Sequence, residues 1–537
     1  MKKTMYLCIA LTIILAFGAM SQTANALYPT TDPWLMYRHD VARSGRGTST
    51  APNNNATVWA SNAGYINSAT SPAVVNGMVI YSGSLNLYAL DEATGFTLWK
   101  STPNFDNYVE TPAISDGIAY VGSNSGTIYA INITDGSKIW SASIAPGQIQ
   151  SSPAVAGRTL YFTTTSNYTY AYDINGTYLW RYGGINTGPI YSSPAIQGNL
   201  LYFGCDNGQV YALDVSGSLP IKKWQFNTHT TNIRTTPCIA NGKLYVGSPG
   251  DSSLYVLNAT TGSFIWKWKT TVSGGYGISS PAYYGMSPHN LIFVTGGYNN
   301  VYALYADATP GYNYTENDPG AKYWSATVGT YGVNAPVAAD GKVFVVQSNT
   351  LYALSITGTG AITWFYKTTY ALTEPVVADG RIFCGNYYSL FCFGSSFPPL
   401  TYYYTVNVQG TDFIVQLVIA NATPSRQIGT GLYSVLHQIN YTVQGLDGTN
   451  GWSNITVPNA MLGGPYTVMV DGGGVVQTVV NNGTHSAIYF TYGQSTHQII
   501  IQGTTIIPEF PSYMALPLLM TFSLIAAAFA KKKLLKN

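Results

Sequence analysis

Apolar and polar residues alternate along most of this chain in short runs divided by Gly, Asn and Asp. Residues 111–140 show the unit: TPAISDG, then IAYVG, a turn at SNSG, TIYAIN, a turn at TDG, and KIW. Alternation with a period of two, filled by β-branched and aromatic residues, predicts strands, and the Gly/Asn/Asp clusters between them predict tight turns. Each such unit reads as four short strands.

The unit recurs. A Pro followed by a short apolar run stands at Pro72, Pro112, Pro153, Pro194, Pro237, Pro281, Pro336 and Pro375, so most intervals are 39 to 44 residues and one is 55. A Trp precedes each Pro by 11 to 15 residues: Trp59, Trp99, Trp140, Trp180, Trp224, Trp266, Trp324 and Trp364. Four strands repeated at about 40–45 residues are the signature of a β-propeller. The Pro-led first strands and Trp-led last strands are equal in number but offset. The unit opening at Pro375 ends in SLFCFG with no Trp strand of its own, while Val58-Trp59-Ala60 has no three strands before it. The chain therefore predicts an all-β fold with an eight-bladed propeller over residues 57–394. Its N-terminal strand completes the last sheet and removes the open edge.

Ala89 to Trp99 (ALDEATGFTLW) resembles the tryptophan-docking repeat of quinoprotein (pyrroloquinoline quinone, PQQ) dehydrogenases and their non-enzymatic relatives. Ala130 to Trp140 and Val256 to Trp266 repeat it with variations, Ala171 to Trp180 is shorter and Ala212 to Trp224 longer. The resemblance implies fold rather than activity. It implies that each Trp packs flat on the Thr-Gly turn of the neighbouring blade, a structural role whose loss costs about 3–5 kcal/mol. Within residues 27–56, Trp34 to Asp40 (WLMYRHD) and Ser44-Gly45 resemble the lead-in segment of the same family. That implies a tie to the propeller body, and His39 and Asp40 are read as part of the tie rather than as a catalytic pair.

Residues 395–399 read as a linker, and residues 400–507 leave the repeat. TYYYTVNVQ, DFIVQLVIA, INYTVQG, YTVMVDG, SAIYFTYG and HQIIIQG predict a β-sandwich, which resembles the spacer domains that precede sorting tails in archaeal surface proteins. Lys2, Lys3, an apolar stretch and Ala24-Asn25-Ala26 predict a signal peptide over residues 1–26, cut after Ala26. Tyr513 to Ala530 gives 18 residues without a charge before Lys531-Lys532-Lys533, enough for one membrane-crossing helix with residues 531–537 in the cytoplasm. Pro508-Glu509-Phe510-Pro511-Ser512 resembles the PEF-type archaeal sorting tail, which implies exchange of the helix for a lipid by a membrane transpeptidase. The expectation is an exported body anchored in the cell membrane by its C-terminus.

Only 9% of the residues are charged, so Ser, Thr, Asn and Tyr must supply most of the polar surface. Without the terminal lysines (Lys2, Lys3, Lys531, Lys532, Lys533, Lys536) the 24 basic residues fall to 18 against 22 acidic, with no basic run. Nucleic acid is thereby excluded as a main ligand. Cys205, Cys238, Cys384 and Cys392 follow the signal. Cys384 and Cys392 flank a hairpin where a bridge could form, and buried thiols are the favoured reading. Ten Asn-x-Ser/Thr sequons permit glycosylation.

The loops into the first strands, aligned on their Pro, hold Asn67, Glu110, Gln150, Tyr191, Arg234, Tyr276, Tyr331, Asn334, Tyr370 and Glu374. This ring of amides and phenols, with two carboxylates and one guanidinium, suits hydrogen bonding and stacking on a glycan, peptide or protein ligand at the channel mouth. The quinoprotein resemblance implies a second reading, a PQQ-dependent alcohol or sugar dehydrogenase with Ca²⁺ held by side-chain oxygens. Here no two Cys are adjacent, no haem-attachment motif occurs, and only Asp206, Asp251, Glu110 and Glu374 are placed to reach the mouth. The insertion at residues 305–323 lacks EF-hand spacing and is expected to be a solvated loop. The expectation is a surface binding or scaffold module with no cofactor, no metal and no catalytic residue. A structural surface-layer component is the third reading.

Overall fold

The computed structural model describes residues 30–503, apart from 62–69, 84, 103, 108, 145–146, 185–187, 272–276, 319, 330–333, 396–399, 409–410, 421–422, 425–437, 445–449 and 494–495. The segments expected to be a signal peptide (1–26), a sorting motif (508–512) and a membrane helix (513–530) lie outside the described residues. Among the described residues no helix is long and apolar enough to cross a membrane. The chain divides into two compact units between Ser396 and Phe397.

Among the described residues of the first unit, eight sheets, antiparallel but for one added strand, follow one another along the chain. Sheet 1 holds Ala73–Val75, Met78–Ser82, Leu87–Asp91 and Thr97–Lys100; sheet 2 holds Ala113–Ser115, Ile118–Gly122, Thr127–Asn132 and Lys138–Ser143. Sheet 3 holds Ala154–Ala156, Thr159–Thr163, Tyr168–Asp173 and Tyr178–Gly183; sheet 4 holds Ala195–Gln197, Leu200–Gly204, Gln209–Asp214 and Ile221–Asn227. Sheet 5 is Cys238–Ala240, Lys243–Ser248, Ser253–Asn258 and Phe264–Lys269; sheet 6 is Ala282–Tyr284, Leu291–Gly296, Asn300–Tyr305 and Lys322–Thr327. Sheet 7 is Val337–Ala339, Lys342–Gln347, Thr350–Ser355 and Ile362–Lys367. Sheet 8 takes Val376–Ala378, Arg381–Gly385 and Leu390–Phe393 from the end of the repeat and Thr57–Ser61 from its start, with Trp59 opposite Cys392 and Ala60 opposite Phe391.

The turns explain the spacing. Between first and second strands, Asn76-Gly77, Asp116-Gly117, Asn241-Gly242, Asp340-Gly341 and Asp379-Gly380 have φ of 46 to 51 on the first residue and 70 to 75 on the Gly. Two consecutive left-handed residues make the turn whose twist matches that of the flanking strands, and Asn or Asp tolerates the first position. Each Trp on a fourth strand faces a small residue: Ala89, Ala130, Ala171, Ala212, Ala303 or Ala353, with Val256 and Cys392 at the other two. The register slips next to each of these pairs, so one extra residue bulges beside the Trp. A bulge bends its strand and re-aims the next side chain.

Those side chains join one sheet to the next. The indole Nε1 of Trp59 donates to Glu92 O at 2.8 Å, Trp99 to Ile133 O at 2.7 Å and Trp140 to Ile174 O at 2.9 Å. Trp224 donates to Ala259 O at 3.0 Å, Trp324 to Ile356 O at 2.7 Å and Trp364 to Pro52 O at 3.3 Å. A Cβ on Gly95, Gly136, Gly176, Gly262 or Gly360 would lie 2.4 to 2.8 Å from the Trp of the preceding sheet. Gly360→Ala should therefore lower stability by about 2–4 kcal/mol, combining overpacking against Trp324 with a side chain at φ +72. Gly341→Ala has the same backbone problem (φ +70) with nothing within 4 Å, and should cost only about 1 kcal/mol. Denaturant midpoints of the two variants measure the difference.

The insertion departs from the expected solvated loop. Asn313–Thr315 pairs in parallel with Phe264–Lys269 and adds a fifth strand to sheet 5. Glu316 fixes it by accepting from the Thr270, Thr271 and Tyr302 hydroxyls and from Thr271 N. Tyr314 meets Trp266 edge-on at 6.3 Å, and Trp266 and Trp268 are fully buried.

The second unit is a sandwich of two five-stranded sheets. One is ordered Leu400–Val408, Thr411–Ala420, Asn450–Pro458, His485–Gly493, Gln477–Asn481. The other is ordered Thr423–Pro424, Gln438–Gln444, Thr496–Gln502, Thr467–Val470, Gly473–Val475. Alternate residues of both, among them Val415, Leu417, Tyr441, Ile455, Val468, Ile488 and Ile501, close one shared core.

Candidate functional site

The axis of the first unit is filled by the chain itself. Trp34 exchanges backbone hydrogen bonds with Val74 of sheet 1, and Leu35 O accepts from Ile114 N of sheet 2. Val41, Ala42 and Ser44 carbonyls accept from Ile196, Ile239 and Tyr283 in sheets 4, 5 and 6, and Gly45 O accepts from Ala338 N in sheet 7. Every partner is the second residue after a repeat Pro, so residues 34–47 wind around the inner strands at one level. The winding uses left-handed backbone at Arg38, His39, Arg43 and Gly45.

It also places two arginines on the axis, 1% and 0% exposed. Arg38 donates to Glu374 Oε1 at 2.5 Å and to the carbonyls of Pro281 and Pro336. Arg43 donates to the carbonyls of Pro194, Tyr37, Ser152 and Pro153. The rigid guanidinium fork suits this, since each Pro-led strand begins with a carbonyl pointing at the axis. Burial pushes the Glu374 carboxyl up while Arg38 and the Tyr37 hydroxyl oppose the shift, and burial brings Arg43 down to about 10. Asp40 accepts from Ser44 N and Ser44 Oγ and closes the local turn, with His39 Nδ1 at 3.4 Å.

Around this plug, the described loops into first strands meet the ends of second strands and the turns that follow them, in their own sheet and in the preceding one. Glu110 N donates to Gly122 O, and partial burial pushes the Glu110 carboxyl up to about 7. Gln150 donates to Gln148 at 2.8 Å. Arg234 clasps Asp206 through Nε and Nη2 (3.0 and 2.7 Å), and its guanidinium carbon lies 4.2 Å from the Tyr191 ring centre. Tyr370, 46% exposed, meets Tyr388 edge-on at 4.8 Å, and Tyr388 meets Tyr387 at 4.8 Å. Asn334 is exposed, its backbone held by Val346 O and Thr295 Oγ1. Asn67, Tyr276 and Tyr331 lie outside the described residues.

The predicted ring thus separates into two layers. Glu374 belongs to the buried plug, whereas Glu110, Gln150, Tyr191, Arg234, Asn334 and Tyr370 belong to the loop layer. Sequence reasoning missed the roles of Arg38 and Arg43, and placed Asp206 near the mouth without its pairing to Arg234. The available signal was two arginines within WLMYRHDVAR in a chain so poor in charge. Cys205, Cys238, Cys384 and Cys392 are free and buried. Among the described residues no three of His, Cys, Asp and Glu come together as a metal site requires.

The profile of the family described as outer membrane protein assembly factor BamB matches residues 84–303, 250–374 and 312–392. Tetrathionate hydrolase of Acidithiobacillus ferrooxidans is 29% identical over 114 residues, 21% of this chain and 20% of that protein. The chain thus spans about a fifth of that relative's length. BamB from Moraxella catarrhalis superposes with a TM-score of 0.50 at 18% identity, over 64% of this chain and 98% of that one. A quinohemoprotein alcohol dehydrogenase from Pseudomonas putida HK5 gives 0.53 at 14% identity, over 67% and 80%. Those structural likenesses show a shared propeller fold. The matched stretches run from residue 84 to 392, more than half of the 537, and the chain belongs to the BamB-like family of PQQ-type repeat proteins.

Proposed function

We propose that this is an exported, membrane-tethered, eight-bladed propeller that binds a glycan or peptide ligand, or scaffolds a protein, on its loop-bearing face without turnover. The axis plug carries the reading. With residues 34–47 filling the centre, the accessible chemistry is the loop layer, where a carboxyl favouring its neutral form, a Tyr-stacked guanidinium and exposed phenols offer hydrogen bonds and ring faces. The apolar segment 513–530 supplies the tether, the sandwich the spacer.

PQQ with Ca²⁺ fits these residues poorly. Glu374 is held by Arg38, Asp206 by Arg234 and Asp251 by Lys267. Glu110 is left, one carboxyl where Ca²⁺ takes about six to eight oxygen ligands.

Glycan and peptide arrays probed with the purified full chain test the proposal, alongside PQQ and Ca²⁺ titration by visible absorption and a dye-linked alcohol assay. Tyr370→Ala and Arg234→Ala should each weaken array binding about tenfold, the equivalent of about 1.4 kcal/mol. Stoichiometric PQQ binding with turnover would establish the dehydrogenase reading instead.

A further inference from the structure

We propose that the exported chain is N-glycosylated at Asn132, Asn175 and Asn258 in the first unit and at Asn482 in the second, and that the sugars of the first unit stand on the face opposite the loop layer. The proposal rests on the exported reading above, because Asn-x-Ser/Thr is an acceptor in secreted chains. In the transfer, Asn Nδ2 bonds to the anomeric carbon of a sugar carried on a lipid phosphate or pyrophosphate. The carbon–oxygen bond to the carrier breaks, the carrier phosphate leaves with the bonding pair, and one Nδ2 proton passes to a base of the transferase. The acceptor must present a free amide nitrogen and an open Ser or Thr two residues on, both at the surface. The fold sorts the ten sequons by these needs.

Three of them recur at one place in the repeat. The turn from third to fourth strand takes the Trp of the preceding sheet on its backbone: Ile133 O accepts from Trp99, Ile174 O from Trp140 and Ala259 O from Trp224. The residue next to each of these carbonyls is a sequon Asn. Asn175 is exposed, Asn132 and Asn258 are half-buried, and the Thr two residues on (Thr134, Thr177 or Thr260) is exposed each time. Thr134 N donates to Asn132 Oδ1 at 2.9 Å and Thr260 N to Asn258 Oδ1 at 3.0 Å. This holds the amide oxygen and leaves Nδ2 without a partner among the described residues. Asn482, exposed in a hairpin turn of the sandwich, repeats the arrangement with Thr484 N at 3.1 Å.

The other described sequons each fail one requirement. Asn167, in the loop layer, is followed by Thr169, which is 0% exposed. Asn55 Nδ2 donates to Phe365 O at 2.8 Å, and the Thr315 hydroxyl beyond Asn313 donates to Asp318 Oδ2 at 2.9 Å. Asn440 and Asn454 lie within strands paired on both sides, their amide oxygens shut off from solvent. Asn421 lies outside the described residues. In an antiparallel sheet the turns from third to fourth strand lie at the end opposite the turns from second to third. Sugars on Asn132, Asn175 and Asn258 therefore leave Glu110, Gln150, Tyr191 and Arg234 open. They also solvate a chain in which only 9% of the residues are charged.

The test takes the full chain from the membranes of the cells that make it and reads the masses of its proteolytic peptides. Peptides holding Asn132, Asn175, Asn258 and Asn482 should carry an oligosaccharide, and those holding Asn167 and Asn454 none. Thr134→Ala removes one acceptor while keeping the backbone bond to Asn132, and should lose one oligosaccharide. Asp214→Asn writes the motif into the matching turn of sheet 4, where Ser216 is exposed and its N already donates to Asp214 Oδ1 at 3.0 Å. That variant should gain one. Protease added to intact cells reports separately on export. A chain cut from outside whose peptides are all unmodified would overturn the glycosylation and leave the exported reading standing, whereas a chain that outside protease never reaches would overturn both. Oligosaccharide on Asn167 or Asn454, or none gained by Asp214→Asn, would overturn the selection by turn.

Discussion

Arg38→Met should lower the stability of the first unit by about 3–5 kcal/mol, one of the largest losses available to a single substitution here. Arg38 is 1% exposed, and its removal strands three groups at once: the Glu374 carboxylate and the carbonyls of Pro281 and Pro336. The two carbonyls cannot turn to solvent, because the Pro residues fix where each inner strand begins, and the Glu374 side chain is only 12% exposed. Glu374→Gln should cost less, about 1–2 kcal/mol, since an amide oxygen still accepts from Arg38 and the Tyr37 hydroxyl. The double variant should recover part of the loss, because a neutral Gln beside Met leaves no charge buried alone. Ten of the 11 Trp precede residue 365, so denaturation followed by Trp fluorescence reports mainly on this unit. If Arg38→Met unfolds at the wild-type denaturant concentration, the plug is not a structural element.

The contrast between what was readable and what was not follows contact range. Blade boundaries were legible because strand pairing within a sheet joins neighbouring strands and repeats its turn chemistry every 40 or so residues. Even the closure of sheet 8 could be inferred, from a Trp strand without predecessors and a final repeat without a Trp. The plug was not legible. Arg43 reaches Pro194 across 151 residues and Arg38 reaches Glu374 across 336, and no local pattern marks such a pairing. Of the described candidate-ring residues, Glu374 alone lies at a different depth from the rest. Glu374 stands immediately before its Pro, beside the inner strand, whereas Tyr191 and Arg234 stand three residues before theirs, about 7 Å further out along an extended loop. The Asn313–Thr315 strand was missed because three residues flanked by Gly and Pro carry no periodicity to detect. Asn450–Pro458 was missed in the sandwich because its Gly and Asn residues read as a turn.

Stability of the first unit should be greatest near pH 5 and fall as the solution becomes alkaline, with Glu92 the principal cause. Glu92 is fully buried and its carboxyl is pushed up from the ordinary 4.5 to about 8, by burial first and by the negative charge of Asp379 second. Glu92 Oε1 and Asp379 Oδ2 have no other hydrogen-bonding partner. Thr30 donates to the other Glu92 oxygen, and Thr31 and Asp32 donate to the other Asp379 oxygen. A proton kept on Glu92 can therefore be donated to Asp379, whereas ionising Glu92 sets two carboxylates together inside the protein, eased only in part by Arg381. The folded chain holds this proton over a range in which the unfolded chain has released it. The stabilisation is complete below pH 4.5 and is lost as the pH rises towards 8, on the order of 3–5 kcal/mol in all. Asp91, pushed up to about 6, and Glu110, to about 7, act in the same direction within narrower windows. Asp40, Asp251 and Glu316 are held below their ordinary values by hydrogen bonds, so their contribution fails only at the acid end. Glu92→Gln keeps the contacts without the titration. The variant should match the wild type at pH 4.5, exceed it at pH 8.5, and unfold with a much flatter dependence between the two. A wild-type profile that is level or rising from pH 5 to 8.5, or a Glu92→Gln profile as steep as the wild type's, would exclude the shared proton as the source.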